Sequence, residues 1–167
     1  HIPRASDKVD YEGELAVVIG RYCRHVPENR AAEVIAGYTI AHDVSVRDWQ
    51  IRVPTFTMGK SFDTHCPIGP YIVTKDEIKN FQNLNLELRL NGEIVQKGNT
   101  NKMIFDVKHI VSYISHFMTL YPGDIITTGT PPGVGMAKTP QRFLKMGDEM
   151  ILKIDNLGSQ KQKVISN

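Results

Sequence analysis

The sequence predicts an α+β chain that is mainly β and has few helices. Most of its apolar segments have the length of a strand, and some of them alternate apolar with polar residues. The dipeptide Asn91-Gly92 separates two such segments and is a strong indicator of a two-residue hairpin turn. Only the stretch after Asp106 repeats apolar residues with the period of a long helix. Strands therefore supply most of the predicted regular structure.

Short apolar segments with the pattern of strands recur along the chain. In order they are residues 15–19, 38–44, 86–90, 93–95 and 150–154. The third and fourth segments form the two arms of the hairpin around Asn91-Gly92. In the last segment Met150, Leu152 and Ile154 alternate with polar residues, which is typical of a strand with one buried face.

The two predicted helices differ in length. A short helix is predicted over residues 28–35, and a long one begins after Asp106, a good N-cap residue, and ends at Pro122-Gly123. The long helix carries an apolar stripe at helical spacing, made of Val107, Ile110, Val111, Ile114, Phe117 and Met118. His109 and His116 flank this stripe with no acid placed between them in a metal-binding pattern, so we interpret them as histidines at the edge of the core.

Length and composition favour one domain over residues 1–167. The chain is 41% hydrophobic, enough for one sizeable core, and shows no linker or repeat that would divide it. A net charge of +2 without basic runs argues against nucleic acid as a partner, and no apolar stretch is long enough to span a membrane. Cys23 and Cys66 lack metal-binding spacing, which favours reduced thiols in a cytosolic protein.

Three carboxylates are the clearest candidates for a functional site. Glu12 and Glu14 open an apolar run and, on a strand, would point to the same face, whereas Leu15 would point into the core. Asp43 closes the segment 38–44. Converging buried carboxylates need a cation or a proton to offset their repulsion, and oxygen ligands favour Mg²⁺, Mn²⁺ or Ca²⁺ over Zn²⁺. The alternative is a solvated strand entrance, where charged residues are common.

The residues after Asp43 have the pattern of an active-site rim. Arg47 and Gln50 are three residues apart and would share one face of a helical turn. Ser45 and Asp48 are placed as a capping pair at the start of that turn. In the alternative interpretation, Arg47 forms a surface ion pair with Asp48 or Glu33.

Longer motifs give the chain a family resemblance. They are, in order, DYEGELAVVIG, AHDVSVRDWQ, MGKSFDTHCPIGPYIV, LNGEIVQ and YPGDIITTGTPPGVG. Together they cover about residues 10 to 157 and resemble the fumarylacetoacetate hydrolase family, and their length and order make the match specific. The resemblance implies the family's mixed β-sandwich roll with few helices, and a homodimer.

The resemblance also implies roles for individual residues. Glu12, Glu14 and Asp43 match the carboxylates that hold Mg²⁺ or a similar ion. The substrate-binding residues implied are Arg47, Gln50, Lys60, Thr64 and Thr130, of which Arg47, Gln50 and Lys60 are also the catalytic candidates. Without the resemblance, Lys60 would be interpreted as a surface lysine and the loop around Thr130 as a plain connector.

One element of the family pattern has no match in the sequence. The family's catalytic histidine and its acidic partner precede the first metal-binding glutamate, and only eleven residues precede Glu12 here. His1 lies too close to Glu12 to match that histidine. We therefore expect an upstream N-terminal portion to be missing. If the general base instead lies within residues 1–167, His42 beside Asp43 is the next candidate.

The function expected from these residues is divalent-metal-dependent chemistry on 2-oxo or 1,3-dicarbonyl acids through a stabilised enolate. C–C bond hydrolysis of an acylpyruvate stands first. Decarboxylation or tautomerisation of oxaloacetate and dehydration of a sugar acid are enzymatic alternatives, and a non-catalytic carboxylate-binding relative is the other class. The expected partner is a small 2-oxo acid, with no nucleic acid and no membrane. The expected location is cytoplasmic, or mitochondrial in a eukaryote.

Overall fold

The computed structural model describes residues 1–166, and strands dominate its regular structure. The strands are β1 (Val9–Asp10), β2 (Gly13–Ile19), β3 (Ile35–His42), β4 (Ser45–Val46), β5 (Ile68–Thr74), β6 (Asn85–Leu90), β7 (Glu93–Asn99), β8 (Ile125–Thr127), β9 (Glu149–Ile154) and β10 (Gly158–Lys163). The α-helices are α1 (Arg47–Gln50), α2 (Thr57–Lys60) and α3 (Val107–Phe117), and short 3-10 helices span Glu28–Glu33, Thr100–Lys102 and Gly135–Ala137. The mainly β class with few helices is confirmed.

Two antiparallel four-stranded sheets share one core. Their strand orders are β5-β3-β2-β8 and β10-β9-β6-β7, and β1 pairs separately with β4. Strand β2 is buried along its whole length, because it lies inside the first sheet and is covered on both faces. A Cβ atom added to Gly13 would lie 2.6 Å from Leu152 of β9, so the second sheet packs directly over the start of β2. That start is where the candidate carboxylates lie.

The predicted hairpin is confirmed. Asn91 and Gly92 have φ angles of +51° and +85°, the left-handed conformation that a two-residue turn needs at both positions. Leu90 pairs with Glu93 across the turn. Strand β7 continues well beyond residues 93–95, because its pairing with β6 extends to Asn99. The longer strand brings Gln96 into the core.

Helix α3 begins as predicted but ends earlier. The Asp106 side chain accepts a hydrogen bond from the His109 N–H at 2.8 Å, which confirms the N-cap. The helix ends at Phe117 instead of at Pro122-Gly123, since Met118 already has extended backbone angles. Phe117 and Met118 are 57% and 46% exposed, so their placement in the core stripe is wrong.

The buried face of α3 explains this difference. Ser112 Oγ donates to the carbonyl oxygen of Val26 at 2.8 Å, and the Val26 N–H donates to Ser115 Oγ at 2.9 Å. These two bonds turn a partly polar face toward the segment before Glu28–Glu33. Because buried polar groups need partners, this face competes with the apolar stripe, and the Phe117 end of the stripe faces outward.

Two strand and helix boundaries also differ from the prediction. The predicted helix over residues 28–35 is a 3-10 helix over Glu28–Glu33, and Ile35 already belongs to β3, where it pairs with Ile19. Strand β3 ends at His42, so Asp43 and Val44 lie beyond it instead of inside it. Pairing with β2 decides both limits, because it starts at Ile35 and stops at His42 opposite Gly13.

The remaining sequence expectations concern two histidines, two cysteines and the question of a membrane span. His109 Nδ1 lies 3.1 Å from Glu28 Oε2, and His116 Nδ1 lies 2.7 Å from the Ser112 carbonyl oxygen, so both are edge histidines with protein partners. Cys23 and Cys66 are free thiols. Among residues 1–166, no helix combines the length and the apolar character needed to cross a membrane.

Candidate metal centre

Glu12, Glu14 and Asp43 converge at one end of the paired strands β2 and β3. One oxygen from each carboxylate lies within 4.8 Å of the others. Gly13 is opposite His42 in the strand pairing, and the Asp43 N–H donates to the Glu12 carbonyl oxygen at 2.8 Å, so the three acids are held side by side. In the part of the chain that the structure describes, no other group of three acids, histidines or cysteines has this arrangement.

The Glu14 carboxyl is deeply buried, and its pKa is strongly raised. It is only 2% exposed, and burial raises its pKa to about 8. The Gly129 N–H, which donates to Glu14 Oε2 at 2.7 Å, opposes this rise, whereas the charges of Asp43 and Glu12 add to it. The ionised form of Glu14 therefore lacks sufficient positive charge from the protein alone, as expected where a cation is to be bound.

Lys60 supplies one positive charge to this cluster. Its Nζ donates to Glu12 Oε2 at 2.8 Å and to Asp43 Oδ2 at 2.7 Å. Burial acts to lower the pKa of Lys60, but the hydrogen bonds to Asp43 and Glu12 outweigh it and the pKa is raised. Lys60 is therefore a protonated member of the cluster, and the surface-lysine interpretation is wrong.

A close helix contact places Lys60 there. A Cβ atom on Gly59 would lie 2.5 Å from backbone atoms of Gln50, so only glycine lets α2 approach α1 this closely. The approach brings Lys60, at the end of α2, next to Asp43 and Glu12. The glycine before the lysine thus has a geometric role that its position in the motif alone does not reveal.

Arg47 is buried and bonded to the same cluster. Its Nε donates to Asp10 Oδ2 at 2.8 Å, and its Nη1 donates to Glu12 Oε1 and, at 3.0 Å, to Gln50 Oε1. The shared face predicted for Arg47 and Gln50 is confirmed. The surface ion pair with Asp48 or Glu33 is not formed, because Arg47 points inward to Asp10 and Glu12.

The capping pair predicted at Ser45 and Asp48 is wrong. Ser45 Oγ donates to the Asp43 carbonyl oxygen at 2.9 Å, and Asp48 accepts from Ser6 Oγ at 2.6 Å. Helix α1 has Val46 at its N-cap position, without a side-chain capping bond. A single-turn helix that is held by Arg47 inside the protein does not depend on a side-chain cap.

Asp10 is a site residue that the sequence interpretation missed. It is fully buried and accepts hydrogen bonds from Arg47 and from the backbone N–H groups of Tyr11, Gly135 and Met136. It therefore joins Arg47 to the loop that follows Thr130. The alternation Asp10, Glu12, Glu14 was a usable signal, since residues two apart near a strand share a face.

Replacing Asp10 with Asn is expected to lower the free energy of unfolding by about 3 kcal/mol, the usual cost of breaking a buried ion pair. The carboxamide would leave Arg47 with less compensating charge and would place an NH2 group among backbone donors. Urea unfolding checks this. Asp155→Asn is the control, because Asp155 accepts equivalent bonds from Asn85 near the surface. Equal losses in both variants would contradict the role given to Asp10.

The two candidate threonines occupy different surroundings. Thr130 Oγ1 donates to the Gly13 carbonyl oxygen at 2.9 Å, so it lies beside the backbone between Glu12 and Glu14. Thr64 Oγ1 instead accepts from the N-terminal amine of His1 at 2.7 Å. No hydrogen bond joins Thr64 to the three acids within residues 1–166, and its substrate role stays a prediction.

His42 does not join the acids although it precedes Asp43. Its ring is fully buried, and its Nδ1 lies 3.4 Å from Gln162 Oε1, on the side of β10. Burial lowers the pKa of His42 to about 4, so the ring is neutral at neutral pH. Adjacent residues at the end of a strand point to opposite sides, which separates His42 from the Asp43 carboxylate.

The donor set fits a hard divalent cation. Three carboxylates in a buried setting supply oxygen ligands only, which suits Mg²⁺, Mn²⁺ or Ca²⁺. Lys60 places a positive charge beside Glu12, and Asp10 orients Arg47. The Gly129 N–H orients Glu14. The arrangement can therefore bind a cation together with an anionic ligand that chelates it.

Known proteins resemble this chain over nearly its whole length. The oxaloacetate tautomerase Fahd2a of Rattus norvegicus, named as mitochondrial, is 50% identical over 165 residues, which are 98% of this chain and 53% of the relative. The fumarylacetoacetate hydrolase structure from Exiguobacterium antarcticum has a TM-score of 0.94 and 41% identity, covering 97% of this chain and 58% of that protein. The 5-carboxymethyl-2-hydroxymuconate delta-isomerase structure from Mycobacterium smegmatis has a TM-score of 0.87 and 40% identity. The match covers 96% of this chain and 60% of that protein.

These matches cover nearly all of this chain but only part of each relative. The chain spans about half the length of the tautomerase that it matches. The family model for the C-terminal domain of fumarylacetoacetate (FAA) hydrolase matches residues 1–165, in agreement with the motifs. The chain belongs to the fumarylacetoacetate hydrolase family.

Proposed function

We propose that this chain provides the metal-binding site of an enzyme that acts on 2-oxo or 1,3-dicarbonyl acids, with enol–keto tautomerisation of oxaloacetate as its reaction. The observation that carries the proposal is the cluster of Glu12, Glu14 and Asp43 with the Lys60 ammonium bonded to two of them. Such a cluster combines anionic ligands for a cation with a fixed positive charge at their edge. Both features stabilise the negative charge of an enolate.

Glu12, Glu14 and Asp43 are the residues that would hold the cation, Mg²⁺ being the first choice and Mn²⁺ or Ca²⁺ the alternatives. When bound, such an ion supplies Lewis-acid stabilisation for the negative charge that an enolate oxygen carries. The protein's own contribution is a partly buried setting, where a preformed charge acts more strongly than in water. Lys60 adds its ammonium to that setting.

Arg47 and Gln50 are suited to recognise the carboxylate of the substrate. The Nη2 atom of Arg47 is buried and has no hydrogen-bond partner within residues 1–166. An unsatisfied buried donor costs about 1–3 kcal/mol, which an anionic ligand would offset. Gln50 turns its oxygen toward Arg47, so its NH2 group faces the other side as a further donor.

The choice of tautomerisation rests on the names of the relatives. From sequence alone, acylpyruvate hydrolysis stood first, but a relative that is 50% identical is named an oxaloacetate tautomerase. A relative that is 51% identical is named a putative hydrolase, without a stated substrate. Hydrolysis is the second candidate, favoured by the likeness to the Exiguobacterium enzyme. A homodimer and a cytoplasmic location remain predictions, and the mitochondrial relatives are compatible with the mitochondrial alternative.

The test is an assay of the chain with oxaloacetate and with acetylpyruvate, each with saturating Mg²⁺ or with a chelator. Ketonisation of enol-oxaloacetate should be accelerated only with Mg²⁺. Hydrolysis of acetylpyruvate should be slower than this ketonisation. Circular dichroism should confirm that the chain is folded. Absence of metal-dependent turnover of either substrate would refute the proposal.

A further inference from the structure

Gln96 of β7 connects Gly13, which lies between Glu12 and Glu14, to the loop around Thr130. We propose that Gln96 is a positioning residue that makes the Thr130 hydroxyl an obligate hydrogen-bond donor toward a substrate carboxylate. This inference rests on the proposed function, because that function supplies the carboxylate ligand that Thr130 would bind. Gln96 itself is 1% exposed and acts through Thr130.

Three hydrogen bonds fix the orientation of the Gln96 amide. Its Oε1 accepts from the Gly13 N–H at 2.9 Å. Its Nε2 donates to Thr130 Oγ1 and to the Pro131 carbonyl oxygen, both at 2.8 Å. A flipped amide would place a donor against the Gly13 N–H and an acceptor against the Pro131 carbonyl, so the observed orientation is the one that satisfies the buried groups.

This orientation decides what the Thr130 hydroxyl can do. An NH2 group only donates, so Thr130 Oγ1 must accept from Gln96, and its single proton has to point elsewhere. In the structure that proton points to the Gly13 carbonyl oxygen, 2.9 Å away. A carboxylate oxygen bound beside the acids is the alternative acceptor, whereas a ligand that presents a donor at this position would not be matched.

Close packing holds the loop in place for this purpose. A Cβ atom on Gly98 would lie 2.7 Å from Pro131 Cβ, and one on Gly133 would lie 2.2 Å from the Val95 carbonyl oxygen. The loop therefore lies flat on β7 on both sides of Gln96. Gly13, the other partner of Gln96, stands between Glu12 and Glu14, so the same amide sets the position of Thr130 relative to both acids.

The experiment is a double-mutant cycle with Gln96→Met and Thr130→Val, read by calorimetry with Mn²⁺ alone and with oxalate in the presence of Mn²⁺. Oxalate serves as the probe because it carries carboxylates in a chelating geometry. Each single variant should weaken oxalate binding by about tenfold, the effect of one hydrogen bond to a charged group. In the double variant the loss should be close to that of Thr130→Val alone, because Gln96 acts through Thr130. Affinity for Mn²⁺ alone should change by less than about threefold, since no carboxylate is removed.

Gln82→Met is the matched control for lost structure. Gln82 is also partly buried and bonds to the backbone of Thr100 and Val107, away from the acids. It should lower the melting temperature without changing oxalate affinity. Additive losses in the cycle, or a Gln82→Met loss equal to that of Gln96→Met, would overturn the inference and leave Gln96 as a packing residue.

A second variant, Gln96→Glu, keeps the inference testable if Gln96→Met does not fold. Gln96→Glu keeps the acceptor for the Gly13 N–H and loses the donor to Thr130. Its carboxylate would accept the Thr130 proton and direct it away from a ligand, so Gln96→Glu should also weaken oxalate binding, and this loss should be smaller when Thr130→Val is present. If the unchanged chain binds neither Mn²⁺ nor oxalate, the proposed function fails and this inference falls with it. If the unchanged chain binds both and the cycle is additive, only the inference fails.

Discussion

Replacing Glu14 with Gln is expected to weaken Mn²⁺ or Mg²⁺ binding by about 100-fold or more, equivalent to about 2.7 kcal/mol. The amide keeps the shape of the side chain and an oxygen for the Gly129 N–H, so the loss reports the missing charge. Calorimetry measures the affinity. The rise in melting temperature that metal gives the folded state should also disappear.

The control is Glu77→Gln, which removes one carboxylate from the surface, where Glu77 accepts a bond from Thr74. Metal affinity should be unchanged in this variant. Equal metal affinity in the Glu14→Gln variant and in the unchanged chain would show that the three acids are not the binding site. Loss of affinity in both variants would indicate a nonspecific effect of net charge.

Without metal, the same substitution is expected to change the dependence of stability on pH. Burial raises the pKa of Glu14 to about 8, above its ordinary value of 4.5, so the folded state binds this proton more tightly than the unfolded state. Stability of the unchanged chain should therefore fall as pH rises from 4.5 to about 8. Glu14→Gln should remove this part of the pH dependence, as urea unfolding in a chelator at several pH values would show. Identical pH profiles would contradict the raised pKa.

Replacing Lys60 with Met is expected to act in opposite directions on the two ligands. Affinity for Mn²⁺ alone should rise several-fold, because the Lys60 ammonium no longer competes for oxygens of Glu12 and Asp43. Oxalate binding in the presence of Mn²⁺ should weaken by about tenfold or more, and turnover of oxaloacetate should fall by about 100- to 1000-fold, the usual effect of removing one charge-stabilising donor. Calorimetry and steady-state kinetics measure the three quantities.

Lys75→Met is the matched control for this experiment. Lys75 is an exposed lysine whose Nζ bonds to the carbonyl oxygens of Ala32 and Glu33, and its loss should change neither binding nor turnover. Oxalate that binds without metal, or that binds equally well after the loss of Lys60, would indicate a simple anion site. In that case the enolate chemistry proposed for the cluster would have no support from Lys60.

Several local features could be predicted from the sequence because a few neighbouring residues determine them. Asn91-Gly92 gives a hairpin since both positions need a left-handed backbone. Asp106 caps α3 because its side chain reaches the N–H of His109, three residues away. The spacing of Glu12 and Glu14, and of Arg47 and Gln50, likewise placed each pair on one face. The regular spacing of side chains along a strand or a helical turn is enough to predict that each pair shares a face.

Only the tertiary structure decided which side chains meet across long stretches of chain. Asp10 and Arg47 are 37 positions apart, and Gln96 reaches Gly13 across 83 positions, so no local pattern specifies either contact. The face that α3 buries also depends on a distant partner, since Ser112 and Ser115 bond to Val26. The sequence by itself thus determined the mainly β class, the family and the three candidate acids. The pairing of β2 with β3, and the packing of β7 and α2 around them, decided how these acids are charged, oriented and supported, because burial and hydrogen bonding between distant segments exist only in the folded chain.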